Sequence, residues 1–341
     1  MHYLVTGHTG FKGAWLVLLL TSQGHRVSGI ALDPLPGSLF ETARVGELLE
    51  NDVRVDIRDA AATAAAVQGI APDVVFHMAA QPLVRESYRD PRTTFETNVL
   101  GTLNVLEAVS ATPSVRAHVV ITTDKVYANV DQVAGYVETD KLGASDPYSS
   151  SKAMADILTQ SWAKSVSGPP LAIVRGGNVI GGGDNSTDRL IPDLVRSFSH
   201  GEEAQLRYPD AVRPWQHVID CLDGYLTVSE ALLAGSGTGE WNIGPGVESF
   251  VSVREVADRG AELWGDDARW STTDGENLPE ANLLALDPTK ASTELGWSNH
   301  LTYPLSLDWT IAWHKAVATD DPRAVTLAQL ERYRSERDDR S

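Results

Sequence analysis

Three glycines near the amino terminus constrain the fold more than any other feature of this sequence. Gly7, Gly10 and Gly13 follow a short β-rich run, Tyr3 to Thr6, and overlap the start of a helical pattern at Phe11. Glycines at this spacing permit a tight turn and let backbone amides approach a phosphate at the N-terminus of the helix. The segment is therefore predicted to be the strand, loop and first helix of a nucleotide-binding α/β fold.

Beyond this loop, strand-like and helical patterns alternate through the first half of the chain. Strands separated by helices predict a parallel sheet with helices on both of its faces. The predicted strands are Tyr3 to Thr6, Arg26 to Leu32, Val53 to Asp56, Asp73 to His77, Ala117 to Thr123 and Leu171 to Arg175. The predicted helices are Phe11 to Ser22, Ala60 to Gln68, Thr93 to Ser110 and one that begins near Pro147.

The alternation ends after Gly176, where a polar, glycine-rich stretch to Asp188 predicts a long binding or lid loop. Helical patterns follow at Ile219 to Leu233, Val253 to Leu263 and Leu305 to Ala318. We therefore expect an α/β protein with a doubly wound parallel sheet, the Rossmann fold, over residues 1–175. A smaller α/β substrate-binding lobe over 176–330 is expected to return some segments to that sheet, and the charged tail 331–341 to be frayed and solvated.

The cofactor is predicted by an acidic residue at the end of the second strand. Asp33 follows the glycines by about 20 residues, the spacing of the ribose-binding acid in dinucleotide folds. A carboxylate there accepts hydrogen bonds from the ribose 2′-hydroxyl and repels a 2′-phosphate. The sequence therefore favours NAD over NADP.

Other residues near the expected cofactor leave two interpretations open. Asp56 is suited to bind the adenine amino group, but it is equally suited to cap a helix after Ile57. Lys12 either pairs with a cofactor phosphate or points to solvent. His8 and Lys12 are bulky for positions beside a pyrophosphate, so we expect NAD to be held loosely if they crowd it. Small side chains at Ala79 and Ala80 after the fourth strand let the backbone approach the cofactor.

Tyr148 and Lys152 predict redox chemistry on an alcohol. They stand four residues apart at the start of a helix, so they share one face. An ammonium group beside a phenol favours the phenolate and lowers its pKa from about 10. The tyrosine can then take the proton of an alcohol while a hydride leaves to NAD. A hydroxyl from Thr123 completes the site; Thr122 is the alternative, because neighbouring strand residues face opposite ways.

The next two residues extend this chemistry to elimination of water. A ketone at carbon 4 of a sugar acidifies the proton at carbon 5, and its loss expels a protonated 6-hydroxyl. Asp124, kept protonated by burial, can supply that proton, and Lys125 can remove the carbon 5 proton if its pKa is lowered. In isolation, a surface Asp–Lys pair at a strand end is an equally good interpretation.

Composition excludes several other classes of protein. The formal net charge of -18, from 28 basic and 46 acidic residues, argues against a nucleic-acid partner. Cys221 is the only cysteine, which excludes an intramolecular disulfide and a cysteine-based metal cluster. The apolar run Ala14 to Leu20 is too short to span a membrane. We expect no metal, no membrane contact and a cytoplasmic location.

Taken together, these residues resemble the extended short-chain dehydrogenase/reductase superfamily and, within it, the family of CDP-glucose 4,6-dehydratases. The matching segments are VTGHTGFKG from Val5, HMAAQPLVRESYRDP from His77, TNVLGTLNVLEA from Thr97, TTDKVY from Thr122, DPYSSSK from Asp146, GNVIGGGD from Gly177, DRLIPDLVR from Asp188 and RPWQHV from Arg213. The cofactor motifs are shared by the superfamily, whereas GHTGFKG, TDK and RPWQHV are much narrower. The resemblance spans almost the whole chain.

The resemblance implies a lyase of deoxysugar biosynthesis. CDP-glucose would be oxidised at carbon 4, lose water across carbons 5 and 6, and receive the hydride back at carbon 6, giving CDP-4-dehydro-6-deoxy-glucose. Lys125 as the base at carbon 5 also comes from the family, since dTDP-glucose 4,6-dehydratases have glutamate there. The implied cofactor contacts are Gly7, Thr9, Gly10, Phe11, Lys12, Gly13, Asp33, Asp56, Ile57, Ala79, Ala80, Gln81, Asn98, Tyr148 and Lys152.

The family also implies substrate contacts in the second lobe and a homodimer or higher homo-oligomer. Asn178, Arg189 and Arg213 are expected to bind the substrate phosphates, as forked arginine donors do, although each can instead be a structural ion-pair partner. Trp215 and His217 either line the nucleotide pocket or belong to the core. The helix faces Leu100 to Val109 and Met154 to Trp162 either form the dimer interface or pack internally.

One segment departs from the family pattern, and two other functions compete. Asn185, Ser186 and Thr187 replace a stretch that usually contains tryptophan, which places recognition of the base in doubt. One alternative is a dTDP-, UDP- or GDP-sugar dehydratase or a 4-epimerase; an epimerase has no need of Asp124 and Lys125. The other is a non-catalytic NAD-sensing protein, which would tolerate the loss of Tyr148.

Overall fold

The computed structural model describes residues 1–132, 134–265, 267–273 and 283–339. Twelve strands lie within these ranges: β1 His2–Thr6, β2 Arg26–Ala31, β3 Asn51–Arg54, β4 Val74–His77, β5 Ala117–Thr123, β6 Leu171–Gly176, β7 Asn178–Ile180, β8 Ala204–Leu206, β9 Val212–His217, β10 Gly239–Ile243, β11 Phe250–Ser252 and β12 Trp270–Thr272.

Thirteen α-helices lie in the same described ranges: α1 Phe11–Ser22, α2 Leu39–Thr42, α3 Ala60–Ile70, α4 Val84–Arg89, α5 Pro91–Phe95, α6 Gly101–Ser110, α7 Pro147–Ser165, α8 Leu190–Ser199, α9 Val218–Leu233, α10 Val253–Trp264, α11 Thr289–Leu295, α12 Leu305–Ala316 and α13 Pro322–Asp338. A π-helical turn, Glu96–Leu100, joins α5 to α6. Together these three segments form the long helix that the sequence predicted from about Thr93 to Ser110.

Seven strands form a wholly parallel sheet in the order β10-β6-β5-β4-β1-β2-β3. Helices α1 and α9 pack on one face of this sheet, and α3, α6 and α7 on the other. The central strands β1, β4, β5 and β6 are buried along their whole length and are rich in apolar residues, as in other doubly wound sheets. The predicted α/β fold with a parallel Rossmann sheet is thus confirmed.

The carboxyl ends of these strands meet at one edge of the sheet, where ligands bind in such folds. The loop after β1, the end of β2 and the end of β5 all lie at this edge because the strands are parallel. Strand β10 comes from the second half of the chain and pairs with β6, as expected of segments that return to the sheet.

The rest of the second half forms a smaller α/β unit with its own apolar core. Strands β11, β9 and β7 form one small sheet, and β12 pairs with β8. Helices α8, α10 and α12 cover them around a cluster that includes Leu194, Trp215 and Val256. Strand β7 falls inside the stretch predicted to be an irregular loop, because Asn178, Val179 and Ile180 pair with β9.

The expectation of a frayed tail is wrong for its described part. Helix α13 continues to Asp338 and packs against α1 and α12. Leu330 and Tyr333 are buried three residues apart on one side of it, and the Tyr333 hydroxyl donates to Asp220 Oδ1 at 2.7 Å. Charged side chains such as Arg332 and Glu336 lie on the other side of the helix. Their density is the reason why the sequence pattern predicted a solvated end. Among the described residues, no helix is both long and apolar enough to cross a membrane.

Candidate active site

The glycine loop is packed so closely that two of its glycines cannot be replaced by a residue with a side chain. Gly7 has a φ of +76°, and an added Cβ would lie 2.8 Å from the backbone nitrogen of Ala79. An added Cβ at Gly13 would lie 2.3 Å from the Gly7 carbonyl oxygen. At Gly10, which precedes the first turn of α1, the nearest atom is the Gly7 oxygen at 3.4 Å. The loop therefore leaves room at the helix N-terminus, where a pyrophosphate fits.

Asp33 is positioned as the sequence predicted, just beyond the end of β2. Its side chain is 89% exposed, and its Oδ1 lies 3.2 Å from the Nε of Arg54 at the end of β3. Thr9 ties the glycine loop to this segment, since its hydroxyl donates to the carbonyl of Leu32 at 3.1 Å. The carboxylate is thus accessible beside the loop.

Asp56 does not cap the following helix. The N-cap of α3 is Asp59, whose side chain accepts from the amide of Ala62. Asp56 instead pairs with Arg58, at 2.6 Å between Oδ2 and Nη2, and this hydrogen bond lowers the pKa of Asp56. The side chain of Ile57 is buried against α6, where an added Cβ on Gly101 would lie 2.6 Å from Ile57 Cδ1.

The bulky residues of the loop do not crowd the Gly10 position. His8 turns inward, fully buried over Gly29, and its Nε2 lies 2.7 Å from Asp52 Oδ1. Lys12 neither points to solvent nor is held by an acid: its Nζ donates to the hydroxyl of Tyr225 in α9 at 2.9 Å. Burial lowers the pKa of Lys12. Neither side chain comes within 4 Å of an added Cβ at Gly10, although Lys12 lines the cleft. The hypothesis that the two residues weaken NAD binding stays a prediction.

The wall beyond β4 is locked to helix α7 through one amide side chain. Asn98 is buried in the π-helical turn; its Oδ1 accepts from the amide of Gln81 at 2.8 Å and its Nδ2 donates to Ser151 at 2.9 Å. The amide of Ala79 donates to Thr6. Ala80 and Phe11 line the neighbouring cleft. These contacts fix this wall relative to the helix that carries Tyr148.

A cleft of about 1270 Å³ opens between the parallel sheet and the smaller unit. Its lining contains every residue that the sequence predicted to be catalytic: Thr123, Asp124, Lys125, Tyr148 and Lys152. The predicted phosphate contacts Asn178, Arg189 and Arg213 line it as well. Strands β5 and β7 and helix α7 therefore deliver side chains from distant parts of the sequence to one cavity.

The structure distinguishes the two candidate hydroxyl groups. Thr122 faces away from the cleft centre and donates to Asp156 Oδ2 at 3.0 Å, in the layer under α7. Thr123 faces the opposite way; its hydroxyl donates to Asp124 Oδ1 at 2.8 Å and contacts the phenol of Tyr148. The hydroxyl beside Tyr148 is thus that of Thr123.

Burial dominates the ionisation of Tyr148 and Lys152. It raises the pKa of Tyr148 to about 12, although Arg189 and Thr123 act to lower it. Burial, followed by repulsion from Lys12, lowers the pKa of Lys152 to about 8. The Lys152 ammonium donates to the carbonyl of Ile121 at 2.8 Å. The expected lowering of the Tyr148 pKa by the lysine is therefore not found in this geometry.

Asp124 is the buried acid that the sequence expectation requires. It opens a short 3-10 turn, Asp124–Val126, and is 3% exposed. Burial raises its pKa, whereas Lys125, the bond from Thr123 and Arg213 oppose that rise. Such a carboxyl can be protonated and donate a proton at neutral pH.

Several arginines of the cleft pair with carboxylates. Arg189 Nη1 lies 3.2 Å from Asp184 Oδ2, and Arg213 Nη1 donates to the carbonyl of Val212. Sequence reasoning missed Arg85 and Arg207, which both line the cleft and both pair with Asp188, at 3.2 and 3.0 Å. Arg207 directly follows β8. Its position just beyond a strand end is the feature of the sequence from which a place in the cleft could have been predicted.

His217 does not reach the cleft. It is fully buried as the N-cap of α9, where Nδ1 accepts from the amide of Ile219 at 3.3 Å. Its ring packs edge-on against Trp15 and Trp309, and burial lowers its pKa to about 3. Trp215 is 5% exposed in the core of the smaller unit, yet one side of it lines the cleft.

Known proteins match this chain over most of its length. Residues 3–244 match the model of the NAD dependent epimerase/dehydratase family. A CDP-glucose 4,6-dehydratase from Salmonella typhimurium is 46% identical over 324 residues, covering 92% of this chain and 90% of the relative. A dTDP-glucose 4,6-dehydratase from Mycolicibacterium smegmatis is 32% identical, covering 93% and 94%.

Solved structures agree with these sequence matches. The crystal structure of DesIV, a dTDP-glucose 4,6-dehydratase from Streptomyces venezuelae with NAD and TYD bound, superposes with a TM-score of 0.81. The two chains are 27% identical, and the alignment covers 92% of this chain and 97% of the other.

Proposed function

The chain belongs to the NAD dependent epimerase/dehydratase family, and from this premise we propose that it is a CDP-glucose 4,6-dehydratase that uses NAD. The observation that carries this proposal is the buried acid Asp124, with Lys125 next to it, beside Tyr148 in one cleft. Oxidation or epimerisation at carbon 4 needs no such acid, whereas expulsion of a hydroxyl does. The 46% identity to the Salmonella typhimurium enzyme favours CDP-glucose among the nucleotide-sugars.

The first step is oxidation of the sugar at carbon 4. Bound NAD would accept a hydride from carbon 4 and later return it to carbon 6. Tyr148 takes the proton of the 4-hydroxyl, and the Thr123 hydroxyl, in contact with that phenol, holds the same oxygen. Lys152 stands one turn further along α7, where its ammonium donates to the Ile121 carbonyl, and it would supply positive charge to the cleft that Tyr148 also lines.

The second step removes water across carbons 5 and 6. Lys125 takes the proton at carbon 5, which the 4-ketone has made acidic, and Asp124 gives its proton to the departing 6-hydroxyl. The electron pair of the carbon 5 bond becomes the new double bond as the carbon–oxygen bond breaks. Hydride return to carbon 6 and a proton at carbon 5 complete the product, so CDP-glucose gives CDP-4-dehydro-6-deoxy-glucose and water with no net oxidation.

The two parts of the chain divide the ligands between them. We assign the cofactor to residues 1–175, through the glycine loop, Asp33 and the wall at Ala79 to Gln81. Residues 176–330 supply Asn178, Arg189 and Arg213 for the substrate diphosphate, and Arg207 is added to them because it lines the same cleft. The cytoplasm, where NAD and nucleotide-sugars are supplied, is the proposed location.

The proposal is tested by incubating the purified protein with NAD and, separately, CDP-, dTDP-, UDP- and GDP-glucose. We expect NMR spectra to show a 4-keto-6-deoxy sugar from CDP-glucose alone, with NAD unconsumed. Turnover of a different nucleotide would keep the mechanism and overturn the choice of base. Absence of deoxy sugar from all four substrates, despite bound NAD, would overturn the dehydratase assignment.

We further propose a homodimer through the exposed apolar face formed by the π-helical turn and α7. Leu100, Met154 and Ile157 are 52%, 48% and 53% exposed there. An apolar cavity of about 420 Å³, lined by Phe95, Val99, Leu100 and Met154 among others, lies on this face. Exposed apolar area of this kind is typical of a protein–protein interface.

The dimer is tested with the double variant Leu100→Glu/Met154→Glu, which would bury two negative charges in the proposed interface. We expect sedimentation velocity to show a dimer for the wild type and a monomer for the double variant. Val247→Glu, at a residue that is 72% exposed elsewhere, is the matched control and should remain dimeric. A monomeric wild type, or a double variant that stays dimeric, contradicts this interface.

A further inference from the structure

A second charged group lies beside Asp33 at the end of the cofactor cleft where the adenosine ribose is expected. Arg54 ends β3, and Asp33 lies just beyond the end of β2, the strand that pairs with β3 in parallel. Both side chains therefore project from the same edge of the sheet as the glycine loop. The Arg54 Nε lies 3.2 Å from Asp33 Oδ1, so the cation is next to the carboxylate that is proposed to bind the ribose.

A chain of buried and half-buried contacts holds the Arg54 guanidinium in place. His8, fully buried in the glycine loop, contacts Asp52 at 2.7 Å. Asp52 in turn accepts from both terminal nitrogens of Arg54, one of them at 2.9 Å. The guanidinium also lies over the ring of Phe40, with 5.4 Å between its central carbon and the ring centroid. Arg54 is therefore preorganised and is not a freely moving surface arginine.

This chain therefore has, side by side, the two kinds of residue that bind the adenosine ribose in dinucleotide folds, an acid and an arginine. Dinucleotide folds that use NAD place an acid on the 2′-hydroxyl, whereas those that use NADP place an arginine near the 2′-phosphate. We propose that Arg54 is a preformed recognition group for the 2′-phosphate of NADP, masked in the wild type by the Asp33 carboxylate. The inference rests on the NAD site of the proposed function, and it names the residue pair that sets the choice of cofactor.

The charges around the site are expected to disfavour NADP in the wild type. Asp33 and Asp52 contribute two negative charges and Arg54 one positive charge, so a 2′-phosphate meets a net negative surface. Removal of Asp33 leaves the balanced pair of Asp52 and Arg54. The Arg54 Nε, 3.2 Å from Asp33 Oδ1 in the wild type, then has no carboxylate on that side, and a phosphate there would gain a charge-assisted contact with the guanidinium.

The test measures cofactor binding without turnover, in three variants of the full chain: Asp33→Ser, Arg54→Gln and the double variant. Titration with NADPH and NADH is followed by the fluorescence of the reduced nicotinamide. We expect Asp33→Ser to bind NADPH about 10-fold or more tightly than the wild type does, and to bind NADH more weakly. Arg54→Gln in the Asp33→Ser background should abolish the gain for NADPH, since only the masked cation distinguishes the two variants.

The outcomes separate this inference from the proposed function. If Asp33→Ser keeps NADH binding but gains nothing for NADPH, or if the double variant keeps the gain, Arg54 is not the recognition group. If the wild type binds neither cofactor, the cofactor site of the proposed function fails, and this inference fails with it. Thermal midpoints equal to that of the wild type establish that the variants are folded, as expected for the exposed Asp33 side chain.

Discussion

The variant Tyr148→Phe is expected to lower kcat for CDP-glucose by about 10²–10⁴-fold, the range that loss of a general base costs. Phenylalanine keeps the aromatic ring in the first turn of α7 and removes only the hydroxyl that contacts Thr123. Steady-state kinetics with CDP-glucose measure the effect. A loss smaller than about 10-fold would show that another group takes the 4-hydroxyl proton.

The pH profile of the wild type adds a signature specific to the phenol. Burial raises the pKa of Tyr148 to about 12, and the deprotonated phenol is the form that accepts a proton. The active form therefore becomes more abundant as pH rises through the alkaline range, so kcat should rise with pH until other groups titrate. Tyr148→Phe should lose this rising limb. An identical limb in the variant would assign it to a different group.

A matched variant, Asp124→Asn, distinguishes loss of oxidation from loss of elimination. Asparagine has the size of the aspartic acid but cannot give up a proton to the departing hydroxyl. Oxidation at carbon 4 should proceed, so the near-ultraviolet absorbance of reduced nicotinamide should build up when the variant meets CDP-glucose. In Tyr148→Phe this absorbance should not build up on the same time scale, because hydride transfer from carbon 4 is itself slowed by about 10²–10⁴-fold.

Spacing along the sequence was enough to predict the site residues whose positions are set by a turn, a strand end or the period of a helix. Gly7, Gly10 and Gly13 are set by a turn that admits no side chain at the first and last of them, and Asp33 is set by the end of a strand. The pair Tyr148 and Lys152 follows from helical periodicity. Such features depend on contacts between neighbours in sequence or between adjacent parallel strands, which the pattern of apolar and polar residues encodes.

Residues that depend on distant packing were predicted poorly. Alternation along β9 puts Arg213, Trp215 and His217 on one side, but the chain turns into α9 at Val218, so His217 becomes a buried cap. Lys12 meets Tyr225, a residue 213 positions further along the chain. Local spacing cannot reveal either environment, because each depends on how α9 packs against the glycine loop and the core.

Thr122 and Thr123 show a different limit of sequence reasoning. The period of two in a strand establishes that they face opposite sides, but not which of them faces the cleft. The answer comes from the neighbouring strand: Thr122 pairs with Arg175 and Thr123 with Gly176. The buried Arg175, which pairs with Asp156 of α7, thus identifies the side occupied by α7, whereas Gly176 lines the cleft.

The second large effect is expected at that buried arginine. Arg175 and Asp156 are both fully buried; Nε and Nη2 of Arg175 donate to the two carboxylate oxygens at 2.9 and 2.8 Å. Arg175 Nη1 also donates to the Tyr127 hydroxyl and to the Glu138 carbonyl. Arg175→Met removes the cation and leaves the Asp156 carboxylate buried without its partner, which costs about 3–5 kcal/mol of folding free energy.

Urea denaturation in the absence of NAD measures this loss, because bound cofactor would add its own stabilisation. The control is Arg26→Met, which applies the same substitution to the exposed pair of Arg26 and Glu50. That variant should leave the denaturation midpoint at the wild-type value, since exposed pairs contribute little. Equal midpoints for the two variants would show that burial of Arg175 does not govern its contribution.

The double variant Arg175→Met/Asp156→Leu separates the charge from the packing. If the unpaired carboxylate causes the loss, removal of Asp156 as well should recover a large part of it, because a buried ion pair and an apolar pair of similar volume differ little in stability. Recovery should nevertheless be incomplete, since Thr122 loses its acceptor on Asp156 and Tyr127 its donor on Arg175. A double variant no more stable than Arg175→Met would mean that the packing and the lost hydrogen bonds, and not the charge, account for the effect.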